Sequence, residues 1–106
     1  MSQYSAAELV ISRTLARTIK NRRKALGLSQ ERVANGAYIN RNHYQTMESA
    51  LSDRKDQSPL NPQLFTLVRL ARVLDCSVLE LLAEAEEAYE KVIKEHPEAA
   101  LVPLKD

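Results

Sequence analysis

The spacing of apolar residues predicts a chain built from helices. The first apolar run, with intervals of four and seven residues, predicts one long helix over residues 5–26, which Gly27 is placed to end. The residues of this run are Tyr4, Ile11, Leu15, Ile19 and Leu26. Ser29 then offers a side-chain oxygen to the first amide groups of a short second helix, QERVA.

A third helix is predicted after Asn40, a residue type that favours the position before a helix. Placing the following residues about 100° apart around a helix axis separates them into two faces. Tyr44 and Met47 share the face that is expected to pack. The opposite arc, about 140° wide, holds Arg41, Asn42, Gln45, Thr46 and Ser49. The pattern indicates a short amphipathic helix with a polar outer face.

Two further helices are predicted in the second half of the chain. Asn61 and Pro62 are typical of a helix start, and the sequence that follows, QLFTLVRLARVL, is apolar nearly all round. We expect this fourth helix to be buried between two neighbours at the centre of the core. Ser77 and Glu80 form a capping-box pattern that starts a fifth helix, which extends to about Glu95.

Composition agrees with one all-α domain of five helices. A chain of 106 residues has room for a single core, and two Gly, four Pro and no Trp leave little material for a turn-rich β fold. The polar stretch at residues 51–60, LSDRKDQSPL, is expected to form an exposed irregular loop.

The net charge of +1 conceals two halves of opposite sign. Residues 1–55 contain ten Lys and Arg against four Asp and Glu, which gives +6. Residues 56–106 contain five against ten, which gives −5. A basic half is attractive to a phosphate backbone.

Several classes of protein are disfavoured. The start of the chain lacks the features of a signal peptide, and no run approaches the roughly 18 apolar residues of a membrane span, so we expect a cytoplasmic protein without a membrane partner. Cys76, His43 and His96 are too far apart in sequence to suggest metal ligands. Without a phosphate-cradling loop or a recognisable nucleophile, the chain is not expected to be an enzyme or to need a cofactor.

The predicted second and third helices are short and joined by a tight turn, and the third has a polar outer face. This arrangement can place side chains in the major groove of DNA. LSQERVANGAYINRNHYQTME resembles the helix-turn-helix of the phage-repressor and Cro-like (XRE) family, with the motif between Ser29 and Glu48. NPQLFTLVRLARVLDCSVLELL is similar to that family's fourth and fifth helices. The resemblance implies a five-helix lambda-repressor-like DNA-binding domain at residues 13–83. Residues 1–12 are then an N-terminal helical extension, and residues 84–106 an extended last helix and tail.

The resemblance also implies roles for individual residues toward double-stranded DNA. It implies that Arg41, Asn42 and Thr46 contact base edges and that Asn40 contacts a phosphate. Gln30 either binds a phosphate or braces the recognition helix. Arginine can donate two parallel hydrogen bonds to guanine, and asparagine can pair with adenine at two points, which supports the first two assignments independently.

Four further residues have supporting roles in this interpretation. Gln45 is a weaker candidate for a base or phosphate contact, and His43 is a still weaker candidate for a phosphate contact. For Gln45 and Thr46, a polar face that is only solvated is an equal alternative. Arg23 and Glu48 resemble the family's structural ion pair, which joins the first helix to the end of the third.

The chain departs from the family at two places. Tyr38 occupies the turn position where the family often has Gly, so the turn either uses Gly36 or takes another shape, and the Tyr38 hydroxyl is available to a phosphate. The segment from Ser49 to Leu60 is longer than usual and carries Arg54 and Lys55. These two cations either contact phosphates or belong to an inert solvated loop.

Apolar residues beyond the family core suggest a partner for the first and last helices. They are Leu9, Val10, Ile11, Leu82, Ala85, Tyr89, Val92 and Ile93. Either these stripes pack on each other within one chain or they form a homodimer, and we favour the homodimer because paired half-sites increase affinity.

The function predicted is a dimeric, sequence-specific transcription regulator at a pseudo-palindromic operator. The alternative is an antitoxin or anti-regulator that acts on a protein partner through the C-terminal helix.

Overall fold

The computed structural model describes residues 3–102, which form five α-helices, a two-stranded sheet and a short 3-10 helix. The elements are α1 (Ala6–Ala25), α2 (Gln30–Gly36), α3 (Arg41–Glu48), β1 (Leu51–Asp53), β2 (Ser58–Pro59), α4 (Leu64–Val73), α5 (Val78–Glu95) and the 3-10 helix (Pro97–Ala100). The predicted five-helix, mostly helical chain is confirmed. None of the helices in residues 3–102 combines the length and the apolar character that crossing a membrane requires.

Side-chain caps begin α1, α2 and α5, and the caps by Ser29 and Ser77 were predicted from the sequence. Ser5 and Glu8 form a reciprocal capping box at α1, with a Glu8 amide to Ser5 Oγ distance of 3.0 Å. Ser77 and Glu80 form the same arrangement at α5. Ser29 Oγ accepts the amide hydrogen of Arg32 at 3.0 Å, which starts α2. Each cap joins residues three apart, so it depends only on local sequence.

The fourth helix begins later than predicted. It starts at Leu64, and Gln63 precedes it without a side-chain cap, so the prediction that Asn61 caps this helix was wrong. The Asn61 amide instead donates to Ser52 Oγ, in β1, at 2.9 Å.

The core draws on all five helices, and α1 and α5 make the most extensive contact between elements. Leu15 and Ile19 from α1 meet Leu81 from α5 in one buried cluster. The prediction that α4 is the centre of the core was wrong, since only Leu70 and Ala71 of this helix are buried. Periodicity indicated an all-round apolar helix, but the described elements do not enclose α4 on all sides. Its side chains Leu64, Phe65 and Val68 remain 65%, 70% and 49% exposed.

The apolar stripes of the first and last helices contact each other within the chain. Ala7 and Ala85 are buried, and Ile11 and Leu82 pack against the core cluster. Contacts between α1 and the 3-10 helix continue this packing. Packing within one chain therefore accounts for Ile11, Leu82 and Ala85, while the other residues of the two stripes are half-buried, and a homodimer stays a prediction.

Residues 51–59 form an antiparallel hairpin rather than the irregular loop expected from the sequence. Leu51 lies opposite Pro59, and the ladder is irregular between Leu51 and Asp53. The hairpin is closed at its base, where the Leu60 amide donates to the Ala50 carbonyl at 2.8 Å. Leu60 is buried, and its carbonyl accepts from Ser12 Oγ at 2.6 Å. These contacts attach the hairpin to α1 and to the core.

Candidate nucleic-acid interface

The turn between α2 and α3 is centred on Tyr38. This residue has φ of +57°, and the Ile39 amide donates to the Ala34 carbonyl at 2.8 Å, which closes the end of α2. Of the two possibilities for this turn, use of Gly36 or another shape, the fold does not use Gly36. Gly36 lies within α2, where an added Cβ would come within 2.9 Å of Val73 Cγ2. Gly36 is therefore required for close packing of α2 on α4, while Tyr38 itself adopts the left-handed conformation.

The Tyr38 side chain is 85% exposed beside the start of α3. Asn40 caps that helix, because its Oδ1 accepts the amide hydrogens of Asn42 at 2.9 Å and His43 at 3.4 Å. The cap leaves the Asn40 NH₂ group to donate elsewhere. One residue thus orients the helix and presents a donor beside it.

The first turn of α3 presents Arg41, Asn42 and His43 to solvent, as the polar-face pattern indicated. Tyr44 and Met47, on the other side, are 0% and 1% exposed. The buried aromatic and thioether side chains fix the helix against the core. The exposed guanidinium and amide groups are consequently held on a rigid element.

Thr46 differs from the expectation of an exposed base contact. It is 5% exposed, and its hydroxyl donates to the Asn42 carbonyl at 2.7 Å. An isolated helix would expose this position at the edge of the polar arc. In the fold, α3 packs against α1, α2 and β1, and Thr46 is covered.

At the end of α3, three side chains donate hydrogen bonds to the carboxylate of Glu48. They are Arg23, Gln30 and Tyr44, and the four residues together are named here the Glu48 cluster. Arg23, expected to pair with Glu48, does so through two hydrogen bonds, Nε to Oε2 at 2.6 Å and a second guanidinium nitrogen to Oε1 at 3.1 Å. Tyr44 donates its hydroxyl to Oε2 at 2.5 Å. Arg23 also donates to the Leu28 carbonyl at 3.0 Å. Three helices, α1, α2 and α3, are tied together at this point.

The Glu48 side chain is 4% exposed, yet it remains ionised. Burial raises the pKa of Glu48, but hydrogen bonds from Arg23, Tyr44 and Gln30 outweigh burial and hold this pKa below its ordinary value. Burial, together with the hydrogen bond to Glu48, raises the pKa of Tyr44, so that the phenol stays protonated as a donor. The cluster therefore consists of three donors around one acceptor.

Gln30 connects the cluster to the exposed face of α3. Its Nε2 donates to Glu48 Oε1 at 3.0 Å, and its Oε1 accepts from Gln45 Nε2 at 3.3 Å. Of the two roles considered for Gln30, the geometry corresponds to bracing of the third helix. The sequence did not indicate the link to Gln45, which joins residues 15 apart on different helices.

The hairpin tip, residues 54–57, presents two cations. Arg54 and Lys55 are exposed, and within residues 3–102 neither has a hydrogen-bonded or ion-paired side-chain partner. The flanking carboxylates serve the turn instead: Asp53 Oδ1 accepts the Lys55 amide at 2.6 Å, and Asp56 Oδ1 accepts the Ser58 amide at 2.9 Å. Because no carboxylate pairs with them, both cations are available to an anionic partner.

A basic stripe on α1 was not identified from the sequence. It consists of Arg13, Arg17, Lys20 and Lys24, whose spacing of four, three and four residues aligns them along one exposed side. In the described part of the chain none of these cations has an ion-pair partner. The spacing was visible in the sequence and could have revealed the stripe. Glu8 is the one carboxylate of α1, whereas α5 exposes six, so the charge division along the sequence is also a division between these two helices.

Residues 3–102 contain no group of three or more His, Cys, Asp or Glu side chains that could hold a metal ion. The exposed hydrogen-bonding groups of α3 gather at its start, which is flanked by Tyr38. Comparison of the chain with family models, curated proteins and solved structures gave no match.

Proposed function

We propose that this chain is a sequence-specific DNA-binding transcription regulator with a lambda-repressor-like, Cro-like helix-turn-helix domain. One observation carries the proposal. Arg41 and Asn42 are exposed on the first turn of a helix whose opposite side, with Tyr44, is anchored in the core. Such a helix can enter a major groove without losing packing.

Base recognition in this proposal begins with the first two residues of α3. Arg41 donates two hydrogen bonds to guanine N7 and O6, and Asn42 pairs with the N6 and N7 positions of adenine. Neither side chain has a hydrogen-bond partner within residues 3–102. Binding DNA therefore breaks no side-chain contact of the folded chain.

Phosphate contacts come from residues on both sides of the reading helix. The Asn40 NH₂ group, the Tyr38 hydroxyl and His43 flank the start of α3 and donate to one backbone. Arg54 and Lys55, at the hairpin tip, contact a phosphate farther along the duplex. Since each neutralised phosphate releases counterions, these contacts make affinity depend on salt.

Selection of bound duplexes from a random pool tests the proposal. Wild-type protein should enrich one motif, and Arg41→Ala should lose the preference for guanine at one position while keeping the rest. Lys91→Ala, which removes an exposed cation from α5, is the control and should keep the full motif. Failure of the wild-type protein to enrich any sequence would contradict the proposed function.

A homodimer is part of the proposal, with α4 as its contact. The exposed side chains Leu64, Phe65 and Val68 lie on one helix, and exposed apolar patches commonly mark association sites. A second copy is the occupant we propose, because two copies on one duplex read paired half-sites through a self-complementary contact. Light scattering at micromolar concentration should give a dimer mass for wild type and a monomer mass for Phe65→Ser. Leu101→Ser, at an exposed leucine outside α4, should leave the dimer intact.

A protein partner is the second candidate, favoured by the carboxylates exposed along α5: Glu80, Glu84, Glu86, Glu87, Glu90 and Glu95. A partner with a basic surface fits this helix. If the wild-type protein enriches no DNA sequence and co-purifies with a basic protein encoded beside it, this antitoxin-like or anti-regulator function replaces the regulator.

A further inference from the structure

A chain of three side chains leads from the buried Glu48 to the exposed face of α3. Glu48 accepts from Gln30 at 3.0 Å, and Gln30 accepts from Gln45 at 3.3 Å. Gln45 is half-buried one turn beyond Arg41, on the side of α3 that is proposed to meet DNA. Any role of Gln45 in base recognition there rests on the proposed function.

The direction of hydrogen bonding along this chain is fixed at its buried end. An ionised carboxylate can only accept hydrogen bonds, and Glu48 already accepts from Arg23 and Tyr44. Gln30 must therefore turn its NH₂ group toward Glu48, because its carbonyl oxygen would meet a second acceptor.

The same reasoning fixes which residue donates in the hydrogen bond between Gln30 and Gln45. With its NH₂ group facing Glu48, Gln30 presents a carbonyl oxygen to Gln45, which can satisfy it only by donating from Nε2. The two ends of a planar amide point in different directions, so the Gln45 Oε1 atom is directed away from Gln30. Nε2 keeps a second hydrogen, but one of its two donors is held by Gln30, whereas no hydrogen bond from the described residues reaches Oε1, so Oε1 is the end of the amide that is fully free for a ligand.

We propose that Gln45 is a specificity-determining residue that accepts a hydrogen bond from the exocyclic amino group of adenine or cytosine, with Gln30 and Glu48 as positioning residues. In the major groove only these two bases present an amino donor, at N6 and N4. Guanine and thymine present acceptor oxygens at the equivalent edge, which would face the Gln45 carbonyl oxygen without a proton between them.

The test is selection of duplexes with four proteins: wild type, Gln45→Ala, Gln30→Lys and Gln30→Met. The position at which Gln45→Ala relaxes the wild-type motif is the position that Gln45 contacts. There the wild-type protein should favour adenine or cytosine over guanine and thymine by about fivefold or more.

Gln30→Lys reverses the hydrogen-bonding direction. An ammonium group only donates, so it can bond Glu48 and also the Gln45 carbonyl, which turns the Gln45 NH₂ group outward. The preference at that position should change to guanine or thymine. Gln30→Met, of similar length but without hydrogen-bonding groups, should reduce the preference to about twofold or less while the Arg41 position stays unchanged.

The outcomes separate the two proposals. If the wild-type protein enriches no motif, the proposed function fails, and the assignment of Gln45 fails with it. If wild type enriches a motif but Gln45→Ala relaxes no position, or relaxes one that favours guanine or thymine, only the assignment of Gln45 is overturned. Unchanged preference in Gln30→Met shows that Gln30 does not orient Gln45. Should Gln30→Lys fail to fold, as judged by circular dichroism, the Gln30→Met arm decides.

Discussion

At the end of α3, Glu48 accepts hydrogen bonds from three side chains, whereas at the hairpin tip Asp53 and Asp56 accept backbone amides. In the first region the cation is already paired within the fold, since Arg23 is 12% exposed and bonded to the Glu48 carboxylate. In the second region the carboxylates hold the turn, and the neighbouring cations remain unpaired. A charge near a carboxylate in sequence is therefore available to a partner only when the carboxylate is bonded elsewhere.

The largest expected difference between the two regions is in stability. Glu48→Ala leaves the Arg23 guanidinium buried without a counter-charge and should lower the free energy of unfolding by about 3 to 5 kcal/mol. Urea denaturation followed by circular dichroism measures this loss. Glu87→Ala, an exposed carboxylate on α5, should change the free energy by less than about 0.5 kcal/mol. Equal midpoints for Glu48→Ala and wild type would show that the Glu48 cluster does not hold the fold.

The second expected difference is in acid sensitivity. The pKa of Glu48 in the folded chain lies below its ordinary value of 4.5, so its ionised form stabilises the folded state above that pH. The stabilisation is lost as the pH falls through the folded-state pKa. The wild-type urea midpoint should consequently fall more steeply between about pH 5 and about pH 3 than that of Glu48→Gln. Asp56→Asn, at the fully exposed hairpin tip, should change this slope much less. A Glu48→Gln slope equal to wild type contradicts the assignment.

A smaller effect is expected where α2 packs on α4. Gly36→Ala places a Cβ within 2.9 Å of Val73 Cγ2 and 3.3 Å of Cγ1. Valine has a stiff side chain, so overpacking should exceed the helix-propensity gain of about 1 kcal/mol and give a net loss of about 1 to 2 kcal/mol. Combining Gly36→Ala with Val73→Ala should cost less than the two single losses added together. Strict additivity in thermal unfolding would rule out the close contact.

The smallest effect on stability is expected at the hairpin tip. Replacing Arg54 and Lys55 together by Ala should change the free energy of unfolding by less than about 0.5 kcal/mol, because neither side chain has a partner in the fold. The slope of log affinity for DNA against log salt should nevertheless decrease in magnitude by up to about 2, roughly one for each phosphate that is no longer neutralised. Lys91→Ala with Lys94→Ala, on exposed positions of α5, is the matched charge control and should keep the slope. A tip variant with the wild-type slope would place these cations away from DNA.

What the sequence predicted well depends on neighbours along the chain. Caps such as Ser29 and Ser77 join residues three apart, so residue type and spacing were enough to place these helix starts. The Arg23–Glu48 pair came from resemblance to a family, since nothing local links positions 25 apart.

What the sequence missed depends on contacts between distant segments. The apolar run of α4 indicated burial, but this helix packs mainly on α2 and α5, and the side that carries Phe65 stays exposed. Thr46 is polar and lies at the edge of an arc, yet the packing of α3 covers it. The link from Gln30 to Gln45 required the distance between two helices, which neither residue type nor spacing specifies.

The closed base of the hairpin should make the positions of α3 and α4 independent of the length of the hairpin. The Ala50 carbonyl and the Leu60 amide, 2.8 Å apart, bring the entry and exit of the hairpin together, and Leu60 is buried. Loop-closure entropy grows slowly with length, by about 0.6 kcal/mol for each doubling, so residues between these points can be added or removed at little cost. We therefore expect this segment to tolerate insertion and deletion, with changes of length and charge that leave α3 and α4 in the same relative positions.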